Sequence, residues 1–331
     1  MNNHFLKNTA IITGALFAVA GCSSDNSAFE SGSASDTANE IPAANDVITQ
    51  TPDLDSFSVA TEKLAVEALE HEGNTSEISI YVADRNNNPV PDNTAISFET
   101  SWGQVEPQCL TAKGACSVTW TESGQNTFLP ANHSAIIIAY TRGEESFTDL
   151  NDNDLYDAGE PFTDISEPFL DINNNDTRDA ATEEFIDGDA DNTFDAADGL
   201  FTGTPCTGDN TVCNRVSTLI WDITRVTLSS SNASVSIESG SLPTTIDTTT
   251  NLTIKVTDIY GYNMADGTTV EVLSSDGKVE PAAINLAGNQ TLFNLTYTTG
   301  STASTTEVLT IKVKSAPSGL ESIFTVSTTI P

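Results

Sequence analysis

VADRNNNPVPDNTAISFETSWGQVEP, residues 82–107, aligns without a gap on VTDIYGYNMADGTTVEVLSSDGKVEP, residues 256–281, at a constant offset of 174. Nine of the 26 pairs are identical, among them Asp84 with Asp258, Asp92 with Asp266, Gly103 with Gly277, and Glu106-Pro107 with Glu280-Pro281. Just upstream, Ile78, Ile80 and Val82 match Leu252, Ile254 and Val256, and this period of two is that of a strand with one buried face. One unit type is therefore written twice. Asn and Pro build the turn after the strand, Asp bonds its own backbone there, and Thr94 or Thr268 restarts a strand on a β-favouring residue. Working outward, Ile96 and Phe98, Val118 and Trp120, and Ile136 and Ile138 continue the alternation in short segments separated by Gly, Asn, Asp and Pro. No sustained helical period appears in the mature chain. The fold class this predicts is all-β: two tandem sandwiches, at 57–230 and 231–331.

A strand ending in V-x-D, a turn of the form N-x-P-V-P-D-x-T, an alternating strand and then G-x-V resemble the bacterial immunoglobulin-like domains of the invasin and intimin type. The match is good around Val82–Pro107 and weaker around Val256–Pro281, where Asn263-Met264-Ala265 replaces the proline pattern. The resemblance implies immunoglobulin-like sandwiches used at bacterial surfaces as spacers or adhesive modules. Fold alone does not fix such a task.

The N-terminus reads as an address. Lys7 precedes a mostly apolar stretch from Thr9 to Ala20, 12 residues long and too short for a bilayer that needs about 20. Val19-Ala20-Gly21-Cys22 resembles the lipobox of bacterial lipoproteins, which implies a signal peptide at 1–21 and an acylated Cys22 as the mature N-terminus. Ser23 after the cysteine implies, within that family, delivery to the outer membrane, on either its outer or its periplasmic face. Residues 22–56, rich in Ser, Ala, Asn and Asp, read as a flexible tether.

Of 331 residues, 12 are Lys or Arg and 47 are Asp or Glu, for a formal charge of -35. Nucleic-acid phosphates and anionic headgroups are poor partners for such a surface, and cations are natural ones. Much of the charge is concentrated in one place. From Glu144 to Gly199 there are 19 acidic residues and one arginine, inside a segment (144–203) that separates two strand-like stretches of the first sandwich. Asp149, Asn151, Asn153, Leu155, Asp157 and Glu160 fall at positions 1, 3, 5, 7, 9 and 12 of a calcium loop, with Leu155 offering its carbonyl. Asp171, Asn173, Asn175 and Asp179 repeat positions 1, 3, 5 and 9, with Thr182 at 12 and Glu183 beside it. Asp187, Asp189, Asp191, Asp195 and Asp198 repeat positions 1, 3, 5, 9 and 12. Position 6, which wants a left-handed backbone, holds Asp154, Asp176 and Asn192 in place of Gly. Hard oxygen donors without imidazole or thiolate select calcium. Pro161 and Pro168 forbid regular flanking helices, so the loops resemble dockerin-like calcium repeats more than a paired EF-hand sensor. Tyr156, Phe162, Phe169, Ile172, Phe185, Ile186, Phe194 and Phe201 are expected to form one small shared core, and the segment to stand out as a calcium-rigidified protrusion.

Four cysteines remain after Cys22. Cys109 with Cys116 and Cys206 with Cys213 share one spacing, and local pairing in an oxidising compartment is the simplest arrangement; the other two connectivities stay open. Trp102, Trp120 and Trp221 read as packing residues. His4, His71 and His133 are too scattered for a metal or catalytic set, and no phosphate loop, nucleophile elbow or HExxH motif occurs, so no catalysis is expected. The function this implies is an outer-membrane-anchored adhesive or ligand-presenting module whose protein or glycan ligand is unknown. A scaffolding envelope lipoprotein is the alternative, and a carbohydrate-binding accessory comes third.

Overall fold

In the computed structural model residues 50–123 and 130–331 are described. Cys22, the signal peptide and the tether up to residue 49 lie outside the described residues. Folded contacts begin before the expected boundary at 57: Asp53 is buried, its N–H bonds to Ala83 O at 3.1 Å, and a single 3₁₀ turn, Leu54–Ser56, follows.

The strands are β1 (Phe57–Thr61), β2 (Ala65–Glu67), β3 (Thr75–Val82), β4 (Ala95–Thr100), β5 (Gln104–Val105), β6 (Gln108–Leu110), β7 (Ala115–Thr121), β8 (Ser134–Gly143), β9 (Phe201–Thr202), β10 (Cys213–Asn214) and β11 (Thr218–Ser229). After them come β12 (Ala233–Ser239), β13 (Thr249–Asp258), β14 (Thr269–Ser274), β15 (Lys278–Glu280), β16 (Ala283–Asn285), β17 (Leu292–Thr298), β18 (Thr305–Lys314) and β19 (Glu321–Ile330). Sheets β1-β3-β7-β5 and β2-β11-β8-β4-β6 enclose one apolar core, built on Ile78, Ile80, Val82, Trp120 and Ile137. Sheets β12-β13-β17-β15 and β16-β14-β18-β19 enclose a second, built on Leu252, Ile254, Val256, Tyr297 and Ile311. Cys109 on β6 and Cys116 on β7 are bonded to each other, tying the two sheets of the first sandwich together.

The repeated residues have the same work in both copies. Asp84 Oδ1 accepts from Asn86 N and Asn88 N, and Asp258 Oδ1 accepts from Tyr260 N and Tyr262 N, so each buried carboxylate closes the turn after its strand. Gly103 has φ +82°, and a Cβ there would lie 2.8 Å from Thr121 O, a combination only glycine accepts. In the second copy the same aspartates also reach across to the first sandwich: Asp258 Oδ2 accepts from Ser230 N and Asp266 Oδ2 from Leu64 N. Glu67, fully buried, accepts from Ser318 N at 2.9 Å, Glu70 accepts from Ser231 N at 2.7 Å, and His133 stacks on Tyr262 with ring centres 4.5 Å apart. The joint between the sandwiches is thus hydrogen-bonded on several sides.

The alternation read through Ile136 and Ile138 needs correction. Ala135, Ile137 and Ala139 face the sandwich core, while Ile136 and Ile138 point out of it and are buried nonetheless, against Leu170, Ile186, Trp221 and Ile223. The acidic segment does join β8 to β11, which pair with each other over ten residues. It does not stand out as a protrusion, because much of it lies back over the outer face of those strands. Its aromatic residues form two groups in place of one shared core: Phe147, Tyr156, Phe162 and Phe201 around Cys206 and Cys213, and Phe169, Phe185 and Phe194 beside Trp221. Ile172 is exposed and belongs to neither.

Candidate metal centre

Three loops carry the expected residues in nearly superposable bonding. In the first, Asp149 Oδ2 accepts from Asp154 N at 2.7 Å and Asn153 Oδ1 from Leu155 N at 2.8 Å. In the second, Asp171 Oδ2 accepts from Asp176 N at 3.2 Å and Asn175 Oδ1 from Thr177 N at 2.9 Å. In the third, Asp187 Oδ2 accepts from Asn192 N at 2.8 Å and Asp191 Oδ1 from Thr193 N at 2.6 Å. Position 6 has positive φ in all three, at Asp154, Asp176 and Asn192, and so does position 4, at Asp152, Asn174 and Ala190. Five of these six residues are Asp or Asn, which tolerate that region through their short polar side chains, and Ala190 is the exception.

What completes each loop is a glutamate that accepts from the N–H of positions 2 and 9. Glu160 does this for the first loop, from Leu150 N and Asp157 N, both at 2.8 Å. Glu183 does it for the second, from Ile172 N and Asp179 N, both at 2.8 Å. Thr182, at the nominal position 12, makes no such link, and its neighbour replaces it. For the third loop the glutamate is Glu167, upstream of the loop, which accepts from Gly188 N at 2.6 Å and Asp195 N at 3.1 Å. Oxygens of Glu167, Asp189 and Asp195 lie within 4.8 Å of one another, as do those of Asp187, Asp189 and Asp191. Asp198 does not occupy the bridging place in that loop; it accepts from Leu200 N and Asn214 Nδ2.

Asp198 belongs instead to a fourth set with the same bonding, assembled from separate segments. Asp164 Oδ2 accepts from Gly199 N at 2.6 Å, as position 1 does from position 6, and Gly199 has φ +79°. Asp198 Oδ1 accepts from Leu200 N at 2.8 Å, as position 5 does from position 7. Glu145 then accepts from Ile165 N at 2.9 Å and Thr202 N at 2.7 Å, as the bridging glutamate does from positions 2 and 9.

One short sequence supplies all of it. E-x-F-x-D occurs at Glu145–Asp149, Glu160–Asp164, Glu167–Asp171 and Glu183–Asp187. Each copy gives its Asp to one cradle as position 1 and its Glu to another. The copies work in pairs: Phe147 bridges Phe162 and Phe169 bridges Phe185 in antiparallel register. Glu145–Asp149 and Glu160–Asp164 therefore exchange glutamates, and so do Glu167–Asp171 and Glu183–Asp187. This repeat, visible in the sequence, is the signal that identifies Glu145, Asp164, Glu167 and Glu183.

The electrostatics are those of a group of carboxylates short of positive charge. Burial pushes Glu145 up to about 7 against its two N–H donors, with the charges of Asp164 and Asp198 adding to the rise. Asp195 is raised by desolvation and then by the charges of Asp189, Asp191, Asp187 and Asp198. Asp157 moves the other way, held down by the Thr207 hydroxyl and by the amides of Asn151 and Asn153. Arginines touch the cradles mostly through backbone carbonyls: Arg85 at Asp154, Arg142 at Gly188, Arg225 at Asp171. A cleft of about 350 Å³ between the third and fourth sets is lined by Glu145, Asp164, Glu167, Asp189, Asp195 and Asp198. The carboxylates and the Asn side-chain oxygens of these loops offer hard donors with flexible coordination, while Asn151, Asn153 and Asn173 turn their amide N–H groups onto Asp157 and Asp179. Cys206 and Cys213 lie beside the fourth set, but they are bonded to each other and offer no thiolate.

No protein-family model and no curated protein matches the chain. Solved structures similar to it include the adhesin InvE of Yersinia pseudotuberculosis, at 10% identity and a TM-score of 0.26, over 85% of this chain and 60% of that one. The D0-D1 domain of intimin is similar at 10% identity and a TM-score of 0.24, over 82% of this chain and 97% of that one. The C-terminal 282-residue fragment of intimin, in complex with the intimin-binding domain of the translocated intimin receptor, is similar at 12% identity and a TM-score of 0.28, over 82% and 63%. This chain spans less than two thirds of the InvE chain and of that receptor-bound fragment. The all-β sandwich fold rests on the sheets and registers described above.

Proposed function

We propose that the chain is a non-enzymatic, calcium-stabilised surface module, with two immunoglobulin-like domains dividing near residues 230 and 231 and an acylated Cys22 holding it at the outer membrane. The observation that carries the calcium reading is the fourfold E-x-F-x-D pattern, in which every glutamate and every aspartate bonds in the same way around an oxygen-lined centre. Calcium enters the three continuous loops through Asp149, Asn151, Asn153, Leu155 O, Asp157 and Glu160; through Asp171, Asn173, Asn175, Asp179 and Glu183; and through Asp187, Asp189, Asp191, Asp195 and Glu167. The split set of Asp164, Asp198 and Glu145 is built to take a fourth. Bound cations neutralise carboxylates that otherwise repel, so metal binding adds directly to folding free energy. Presentation of a protein or glycan ligand from the ends of the sandwiches is the task this arrangement suits. Protease treatment of intact cells, followed by detection of the chain, tests the surface placement: cleavage supports an adhesive module, and full protection overturns it.

The hydrogen-bonded joint between the sandwiches favours a second reading, a scaffolding lipoprotein that spaces or caps a partner complex. Co-purification of one fixed envelope partner in stoichiometric amount distinguishes it from the first.

A further inference from the structure

The outer face of β11 reads Leu219, Trp221, Ile223, Arg225, and each of these meets the acidic insertion. Leu219 packs so closely on Gly188 that a Cβ there would lie 3.0 Å from Leu219 Cδ1. Trp221 donates its indole N–H to Ser166 O at 3.0 Å and sets its ring 5.3 Å from that of Phe169. Ile223 joins Leu170 and Ile186 over Ile136 and Ile138 of β8, and Arg225 donates to Asp171 O at 2.8 Å. These attachment points coincide with the cradles: Asp171 is position 1 of the second, Gly188 is position 2 of the third, and Ser166 precedes Glu167. The first set is held differently, packed with Tyr156 and Phe201 around the Cys206–Cys213 bond, and the fourth borders both regions, sharing a cleft with the third set and Leu219.

We propose that the Ser166–Asp195 part of the insertion is a cation-dependent cover for the outer face of the β8–β11 pair. It lies closed while the second and third cradles are loaded, and it lifts when they are emptied. Asp171 keeps the Arg225 guanidinium 3.6 Å away when its cradle is empty, but Glu167, Asp187, Asp189, Asp191 and Asp195 then face one another in groups within 4.8 Å, and their repulsion acts beside the Ser166 and Gly188 attachment points. Lifting uncovers Ile136, Ile138, Trp221 and Ile223 as one apolar patch, while the disulfide-linked part of the insertion stays in place. The inference rests on the calcium reading above and goes beyond it, because cations could fill the cradles without any change at the sheet.

The test uses the mature chain, saturated with calcium or stripped with a chelator, with calcium uptake measured by calorimetry on the same samples. Trp221 is the reporter, together with a dye that fluoresces on apolar surface. The expected result on stripping is a red shift of tryptophan emission together with increased dye binding, as for opening of a local unit. Trp221→Phe removes the emission shift and keeps the dye response. Calcium uptake with emission and dye binding the same in both states overturns the cover and leaves the calcium reading intact. Absence of calcium uptake overturns the calcium reading, and the cover falls with it.

Discussion

Glu144 and Glu145 are adjacent and buried, and they face different partners. Glu145 bridges the fourth cradle, while Glu144 lies near Arg85 and Asp53 and accepts from Thr204. Both are pushed up to about 7, in each case chiefly by burial, from an ordinary value of 4.5. Between those values the folded chain holds more protons than the unfolded one. The stability this represents is fully present below 4.5 and is lost as pH rises through 7. In chelator, then, the melting temperature is expected to fall between about pH 5 and pH 8; with calcium the gain on binding grows over the same range, because carboxylates must be deprotonated to bind metal. Thermal melts at two pH values with and without calcium check both signs. A second prediction separates spacing from geometry. Glu183→Gln and Glu167→Gln are each expected to weaken one calcium site about 10- to 100-fold, whereas Thr182→Ala leaves all sites intact, as read by calorimetric titration.

At the scale of elements, the outer face of β8 behaves as core. Ile138→Ala is expected to cost about 2–4 kcal/mol in urea denaturation, where the same change on a sheet face open to water would cost little. That face is also where the sequence is hardest to read. Ile78, Ile80 and Val82 alternate because β3 has one buried side, and the fold class follows from them. Ile136-Ile137-Ile138 is continuous because β8 is buried on both sides, and nothing local says what covers the second side. The cradles divide in the same way. Positions 1, 3 and 5 are close in sequence and were legible from spacing, as were the left-handed residues at position 6. Glu167 lies upstream of its loop, and Asp164 is separated from Asp198 by both the second and the third loops, so a window of 12 residues finds neither. The cysteine pairs were legible as local bonds because identical spacing and a short loop go together.

For the whole molecule, the joint decides whether the two sandwiches move as one body. Glu70 accepts from Ser230, Ser231 and Asn232, and Glu67 from Ser318, so each carboxylate is the hub of bonds that cross or brace the joint. Glu67→Ala leaves the Ser318 N–H without its acceptor, and a loss of about 1–3 kcal/mol is expected. Small-angle scattering is expected to show a broader distribution of distances for the Glu67→Ala, Glu70→Ala double variant than for the native chain.

Native mass spectrometry of the mature chain, titrated with calcium after chelation, shows whether the acidic insertion is a folded cation module. Uptake of four ions, one for each E-x-F-x-D copy, is expected, with a raised melting temperature. A chain that takes up no calcium and melts at the same temperature throughout would contradict it.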